Sequence, residues 1–185
     1  MSRGIYLLKS LCTHKEALKQ LFRTPVSHAI DITPDWLQTH GIKALVLDFD
    51  GVLASLGQKT LHPDVIPWLQ ALSQQKDLSL WILSNNPSSA RQQFFATHFP
   101  SVQMIMGARK KPYPDGLLTI IQEHHYLPTE ILMVDDRLLT GCLAALNAGT
   151  QAVWISKPYR RVFSRKMFFE LYFSMLRTLD KLTLL

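Results

Sequence analysis

Cysteine is scarce: the 185 residues include Cys12 and Cys142, far apart and in no C-x-x-C pair. That excludes a disulfide framework and a thiolate zinc site, and it fits a reducing, cytoplasmic compartment. Long uncharged apolar runs are missing as well. The most apolar late stretch, 162–176, is broken by Arg165, Lys166 and Glu170, short of the roughly 20 apolar residues of a membrane span. Near the start, Lys9, His14, Lys15 and Lys19 interrupt the apolar residues before a signal-peptide core can form. The chain has no internal repeat and no low-complexity tract. His124 and His125 have no partner at a metal-ligand spacing and read as surface residues, and Cys142 reads as packing.

What is present is ordinary for a folded domain: 47% hydrophobic residues, and Lys and Arg outnumbering Asp and Glu by 20 to 14 for a formal charge of +6. One domain over 1–185 is expected. The basic excess is uneven, because after Lys157 come Arg160, Arg161, Arg165, Lys166, Arg177 and Lys181 against Glu170 and Asp180 alone. Such asymmetry fits an anionic partner, and equally a solvated helix face.

Apolar runs of strand length stand at 44–47, 80–83, 102–106, 131–134 and 152–155, with helix-length segments between them. They are nearly continuous rather than alternating, as in strands buried on both faces of a parallel sheet. Pro63, Pro87 and Pro114 mark helix starts, with Asn86 as a cap before Pro87 and Thr33 as a cap before Pro34. A helix is expected over about 1–24 and another over about 160–182. The fold class predicted is α/β, a three-layer Rossmann-like parallel sheet with helices on both faces.

Polar clusters follow the strands. Asp48 and Asp50 come after the first, Ser84-Asn85-Asn86 after the second, Lys110-Lys111-Pro112 after the third and Asp135-Asp136 after the fourth. The ends of parallel strands form one edge, so the four clusters converge there. Carboxylates, a lysine and short polar side chains suit phosphoryl transfer through an aspartyl phosphate, with Mg²⁺ held by hard oxygen ligands. Taken alone, Asp48 to Gly51 is also a common turn, Ser84 and Asn86 are ordinary helix caps, and Lys110 and Lys111 are ordinary loop lysines.

Asp48-Phe49-Asp50-Gly51-Val52, Leu83-Ser84-Asn85, Lys111-Pro112 and Val134-Asp135-Asp136 resemble, in order, the four motifs of haloacid dehalogenase superfamily phosphatases. The resemblance implies Asp48 as nucleophile and Asp50 as acid/base that offers its backbone carbonyl to the metal. It implies Ser84, Asn85 and Lys111 around the phosphate, and a Mg²⁺ site of Asp48, Asp50 and Asp136 with Asp135 as a further candidate. The segment from His28 through Trp36 to Lys43, the run Ser84-Asn85-Asn86-Pro87 and the run from Val134 to Thr140 are similar to YqeG-type phosphatases of subfamily IIIA. These are bacterial relatives of mitochondrial phosphatidylglycerophosphate phosphatases. Three positions depart from that pattern: Gly51-Val52 replaces Asn-Thr, Asp135-Asp136-Arg137 replaces Gly-Asp-Gln, and Gly141 replaces an aspartate, for which the pair Asp135-Asp136 offers a substitute.

About 34 residues separate Asp50 from Ser84 and about 27 separate Ser84 from Lys111, which one helix and one strand largely fill. No cap domain fits, and an open site is expected. In the tail, Phe168, Tyr172, Met175, Leu176, Leu179 and Leu182 recur at helical spacing, widened by Phe169 and Phe173, with basic residues at its start. That combination suits an interfacial helix on anionic phospholipid, or a helix packed on the sheet or in a dimer. With the resemblance, it implies a phosphatidylglycerophosphate phosphatase at the inner face of the membrane. The alternatives are a soluble phosphatase of another phosphate monoester and a silent scaffold with a basic docking tail. No nucleic-acid partner is expected, and the sequence sets no oligomeric state.

Overall fold

The computed structural model describes residues 2–160 and 167–184. Five parallel strands, β1 (Ala44–Leu47), β2 (Ser79–Ile82), β3 (Val102–Met104), β4 (Ile131–Asp135) and β5 (Gln151–Trp154), lie in the order β3-β2-β1-β4-β5. Leu45 pairs in register with Leu80 on one side and Leu132 on the other. Every residue of β1 and β4 is buried, which is why both read as continuous apolar runs.

Alternate side chains feed two layers. Leu45, Leu47, Leu80, Ile82, Leu132 and Val134 face a core shared with α2 (Pro34–Thr39), α3 (Val65–Ser73) and α4 (Ser89–His98). Ala44, Val46, Trp81, Ile131 and Met133 face α5 (Asp115–His124) and α6 (Leu143–Ala148). The long helix α1 (Arg3–Arg23) packs beside α6 through Leu18 and its neighbours, in a cluster that includes Cys142, Trp154 and Leu184. The result is the three-layer α/β architecture expected, and α7 (Met167–Leu182) closes the chain.

Two of the helix starts differ in how they are capped. Thr33 caps α2, its hydroxyl accepting from Trp36 N–H. Asn86 does not cap α4: that helix starts two residues later, with the Ser88 hydroxyl accepting from Arg91 N–H at 3.3 Å. The reason is that residues 84–88 make a separate turn, in which Ser84 Oγ accepts from Asn86 N–H at 3.1 Å and Asn86 C=O accepts from Arg91. Strand β3 stops at Met104, before the predicted end at 106, because it lies at the sheet edge with a partner on one side alone.

Candidate active site

The strand order reverses beside β1, between β2 and β4, and crevices at such a switch point hold ligands in open parallel sheets. Asp48 follows β1 and donates its N–H to Val134 C=O at 2.9 Å, which aligns it with the end of β4. Asp135 and Asp136 therefore stand beside it, and one oxygen from each of the three carboxylates lies within 4.8 Å of the others. Lys111 enters from the loop before α5 and is 2% exposed. Its Nζ lies 2.6 Å from Asp135 Oδ2 and 2.9 Å from Asp48 Oδ1. Lys110, its neighbour, is exposed.

Charge in this cluster is not balanced. Burial raises the Asp48 carboxyl to about 7, with Asp135 and Asp50 adding to the effect and Lys111 opposing it. Burial likewise raises Asp136 to about 6 against the pull of Arg177, and raises Asp135. Burial would lower the Lys111 ammonium, yet the carboxylates of Asp135 and Asp48 outweigh it and hold the pKa up. Three carboxylates facing Lys111 and Arg177 are one positive charge short, and a divalent cation fits that deficit. The donor set is all carboxylate oxygen, as Mg²⁺ prefers.

The carboxylates are not equivalent. Asp135 has both oxygens engaged, Oδ2 by Lys111 and Oδ1 by the Arg137 N–H at 2.8 Å. Among the described residues Asp136 is held through Oδ2 alone and Asp48 through Oδ1 alone, so these two keep an oxygen toward a cation. Gly141 explains part of the arrangement, since a Cβ built there would overlap the Asp135 carboxylate. An acidic side chain thus reaches this volume from position 135, and position 141 has to be glycine. At Gly51 the φ of +93° and the approach of Asp136 Oδ2 to 2.5 Å from a built Cβ demand glycine for both reasons.

Ser84 and Asn85 also line the cavity. Asn85 is a strut between two loops: Oδ1 accepts from Lys111 N–H at 2.7 Å and Nδ2 donates to Lys111 C=O at 3.3 Å. Asp50 stands outside the three-carboxylate group. The Arg91 fork holds it, at 2.6 Å to Oδ1 and 3.0 Å to Oδ2, and Gly57 N–H donates to Oδ1. Arg91 is 2% exposed and lies 3.9 Å above the Phe49 ring. Nothing in the sequence singled it out, because its partner lies 41 positions away and one arginine on a helix reads as surface.

The open site expected from the missing cap is corrected by α7, which lies over the cavity. Tyr172, Phe173, Leu176 and Arg177 line it beside Asp48 and Lys110, around about 560 Å³ of space. The helix is docked through charged residues. Arg177 Nε donates to Asp136 Oδ2 at 2.5 Å, Asp180 receives the Arg137 fork at 2.6 and 2.9 Å, and Glu170 Oε1 accepts from Leu56 N–H at 3.3 Å. Arg177, a member of the basic C-terminal excess, is therefore buried. Leu171, Tyr172, Met175, Leu179 and Leu182 point outward, between 46% and 59% exposed. Arg161, Arg165 and Lys166, and the side chains of Phe168 and Phe169, lie outside the described residues.

Among curated relatives, phosphoglycolate phosphatase of Vibrio vulnificus strain YJ016 is 31% identical over 144 residues, 72% of this chain and 61% of its own length. The chain thus spans about three fifths of that relative. The probable phosphatase YqeG of Bacillus subtilis is 22% identical over 149 residues, 80% of each chain. A solved haloacid dehalogenase-like hydrolase from Streptococcus pneumoniae shares the fold at TM-score 0.51 and 15% identity, over 70% of this chain and 91% of its own. The cobalt-bound deoxy-D-mannose-octulosonate 8-phosphate phosphatase of Haemophilus influenzae does so at 0.51 and 16%, over 78% and 92%. The family model described as haloacid dehalogenase-like hydrolase matches residues 13–149, most of the chain and all four polar clusters, and the chain belongs to that family.

Proposed function

We propose that this chain is a Mg²⁺-dependent phosphatase of phosphate monoesters, of the YqeG type in subfamily IIIA, working through a phosphorylated Asp48. The observation that carries the reading is the buried group of Asp48, Asp135 and Asp136 around Lys111 at the switch point. Asp48 attacks phosphorus, the bond to the leaving oxygen breaks, and that oxygen takes its proton from Asp50, the acid/base that the motif resemblance implies, once the Arg91 fork releases one Asp50 oxygen. Water then attacks the phosphorus of the aspartyl phosphate, Asp50 takes the water proton, the bond between phosphorus and the Asp48 oxygen breaks to restore the carboxylate, and inorganic phosphate departs. Lys111 and Ser84 bind phosphoryl oxygens, and Asp135 holds Lys111 in place. Asp48 and Asp136, with the Asp50 carbonyl, would hold the cation, which when bound neutralises the carboxylates and the phosphate charge.

The substrate proposed is a phospholipid monoester, phosphatidylglycerophosphate, taken at the inner face of a membrane. Support comes from the outward apolar row on α7, directly beside a mouth that also carries Arg3 and Lys110. No helix among the described residues is long and apolar enough to cross a membrane, so contact would be at the surface. The 31% relative named phosphoglycolate phosphatase favours a second reading, a small soluble phosphomonoester. Turnover of phosphatidylglycerophosphate in mixed micelles, measured with Mg²⁺ beside phosphoglycolate, sugar and nucleotide phosphates, separates the two. A preference for the lipid is expected. Faster turnover of a soluble ester at saturation removes the lipid, and no turnover of any ester removes the phosphatase.

A further inference from the structure

A cation supplied by none of the four motifs reaches the site. Arg177 stands on α7, 41 positions after Asp136, and its side chain is 7% exposed. Its Nε donates to Asp136 Oδ2, and Nη2 would lie 3.1 Å from a Cβ built on Gly51. Nη1 is buried without a hydrogen-bond partner among the described residues, although the side chain lines the cavity.

The other buried arginines of the site have their forks committed, and Lys111 has one donor of three to spare. Arg91 is forked onto Asp50, Arg137 onto Asp180, and Lys111 is shared by Asp135 and Asp48. A guanidinium has five N–H donors in a fixed plane suited to phosphate or carboxylate oxygens, and buried donors are nearly always paired. Arg177 lines the cavity, touches Asp136 and stands one carboxylate away from Asp48, and its spare buried donor Nη1 leaves the guanidinium with a hydrogen bond still to give when an anionic oxygen enters.

We infer that Arg177 is a substrate-binding residue whose guanidinium turns a spare N–H to a phosphoryl oxygen, so that the C-terminal helix completes the active site. The inference rests on the phosphatase reading. Glu170 on the Leu56 loop and Asp180 on Arg137 fix the helix on either side of Arg177 for this task.

Binding of inorganic phosphate in the presence of Mg²⁺, followed by calorimetry, tests it on wild type, Arg177→Lys and Arg177→Gln, with melting temperature and hydrolysis of p-nitrophenyl phosphate alongside. Loss of a charged hydrogen bond predicts a phosphate Kd weaker by about tenfold to a hundredfold in Arg177→Gln. Arg177→Lys keeps a charge for Asp136 but not the second nitrogen, and is expected to fold normally while binding phosphate about tenfold more weakly than wild type. A structural role alone would leave the Lys variant with wild-type phosphate affinity, and that result overturns the inference. So does binding within twofold of wild type by Arg177→Gln. If the Gln variant unfolds, the Lys variant decides by the same measure. Should wild type neither bind phosphate nor hydrolyse the ester, the phosphatase reading falls and takes this inference with it.

Discussion

At the scale of single residues, the carboxyl of Asp48 couples chemistry to stability. Its folded pKa is raised to about 7 by burial, from an ordinary 3.8. In metal-free protein the sign follows. Below pH about 4 the group is protonated in folded and unfolded chains alike, and its stabilising contribution is complete. As pH rises from there to about 7 the unfolded chain releases the proton first, so this contribution is lost. Asp136, raised to about 6, acts in the same direction. Asp48→Asn removes the charge and the nucleophile together while keeping the size. In excess chelator at pH 8 the variant is expected to melt on the order of 10 °C above wild type, since several kcal/mol of the cost of burying a charged carboxylate goes and each is worth roughly 2–4 °C in a domain this large. That advantage should vanish near pH 4, and turnover should be absent at every pH. Thermal melts across pH 4–8 check the sign, and a variant no more stable than wild type at pH 8 would mean that the cluster is already neutralised by other groups.

At the scale of elements, the core strands were legible and the C-terminal helix was not. β1 and β4 are buried on both faces, so their apolar runs are continuous, and carboxylates after such runs fall at one edge by topology alone. Resemblance to known motifs then named Asp48, Ser84 and Lys111, all of which the fold brings to one cavity. Helix α7 reads differently, because its apolar positions recur at helical spacing and such a stripe normally faces a core. Here Glu170, Arg177 and Asp180 are buried, Phe173 and Leu176 turn to the cavity, and Met175, Leu179 and Leu182 of the apolar stripe face out. Their partners, Leu56, Asp136 and Arg137, are 41 to 114 positions away, beyond what local periodicity encodes. Arg137 shows the consequence, since an arginine where the YqeG pattern has glutamine supplies a fork for Asp180. Removing one partner of so buried a pair costs about 3 kcal/mol or more. Asp180→Asn is therefore expected to lower the melting temperature and to speed amide exchange in 170–182 well above that in β1. Unchanged exchange there would show that the helix is held by its other contacts.

At the scale of the whole molecule, the outward side of α7 is the feature a soluble monomer does not explain. Leu171, Met175, Leu179 and Leu182 form a solvent-facing row, while α1 adds Ile5 and Leu8, 60% and 61% exposed, just after Arg3 at the cavity mouth. Isolated exposed apolar side chains are ordinary, but a row of them beside an active site marks an interaction surface. The net charge of +6 is suited to an anionic bilayer, where each basic residue near the surface adds roughly 1 kcal/mol and salt screens the attraction. Leu171, Met175, Leu179 and Leu182 line neither the cavity nor the ion pairs that dock the helix. On the proposed lipid reading, replacing all four by Gln is therefore expected to abolish cosedimentation with anionic vesicles and slow hydrolysis of vesicle-borne phosphatidylglycerophosphate at least about tenfold, while p-nitrophenyl phosphate turnover stays within twofold, since four side chains that would enter the bilayer contribute far more than the 1.4 kcal/mol that a factor of ten requires. If the row is instead a seam between two copies of the chain, the wild type sediments as a dimer without lipid and the variant as a monomer, with vesicle binding equal in both, and the membrane leaves the account.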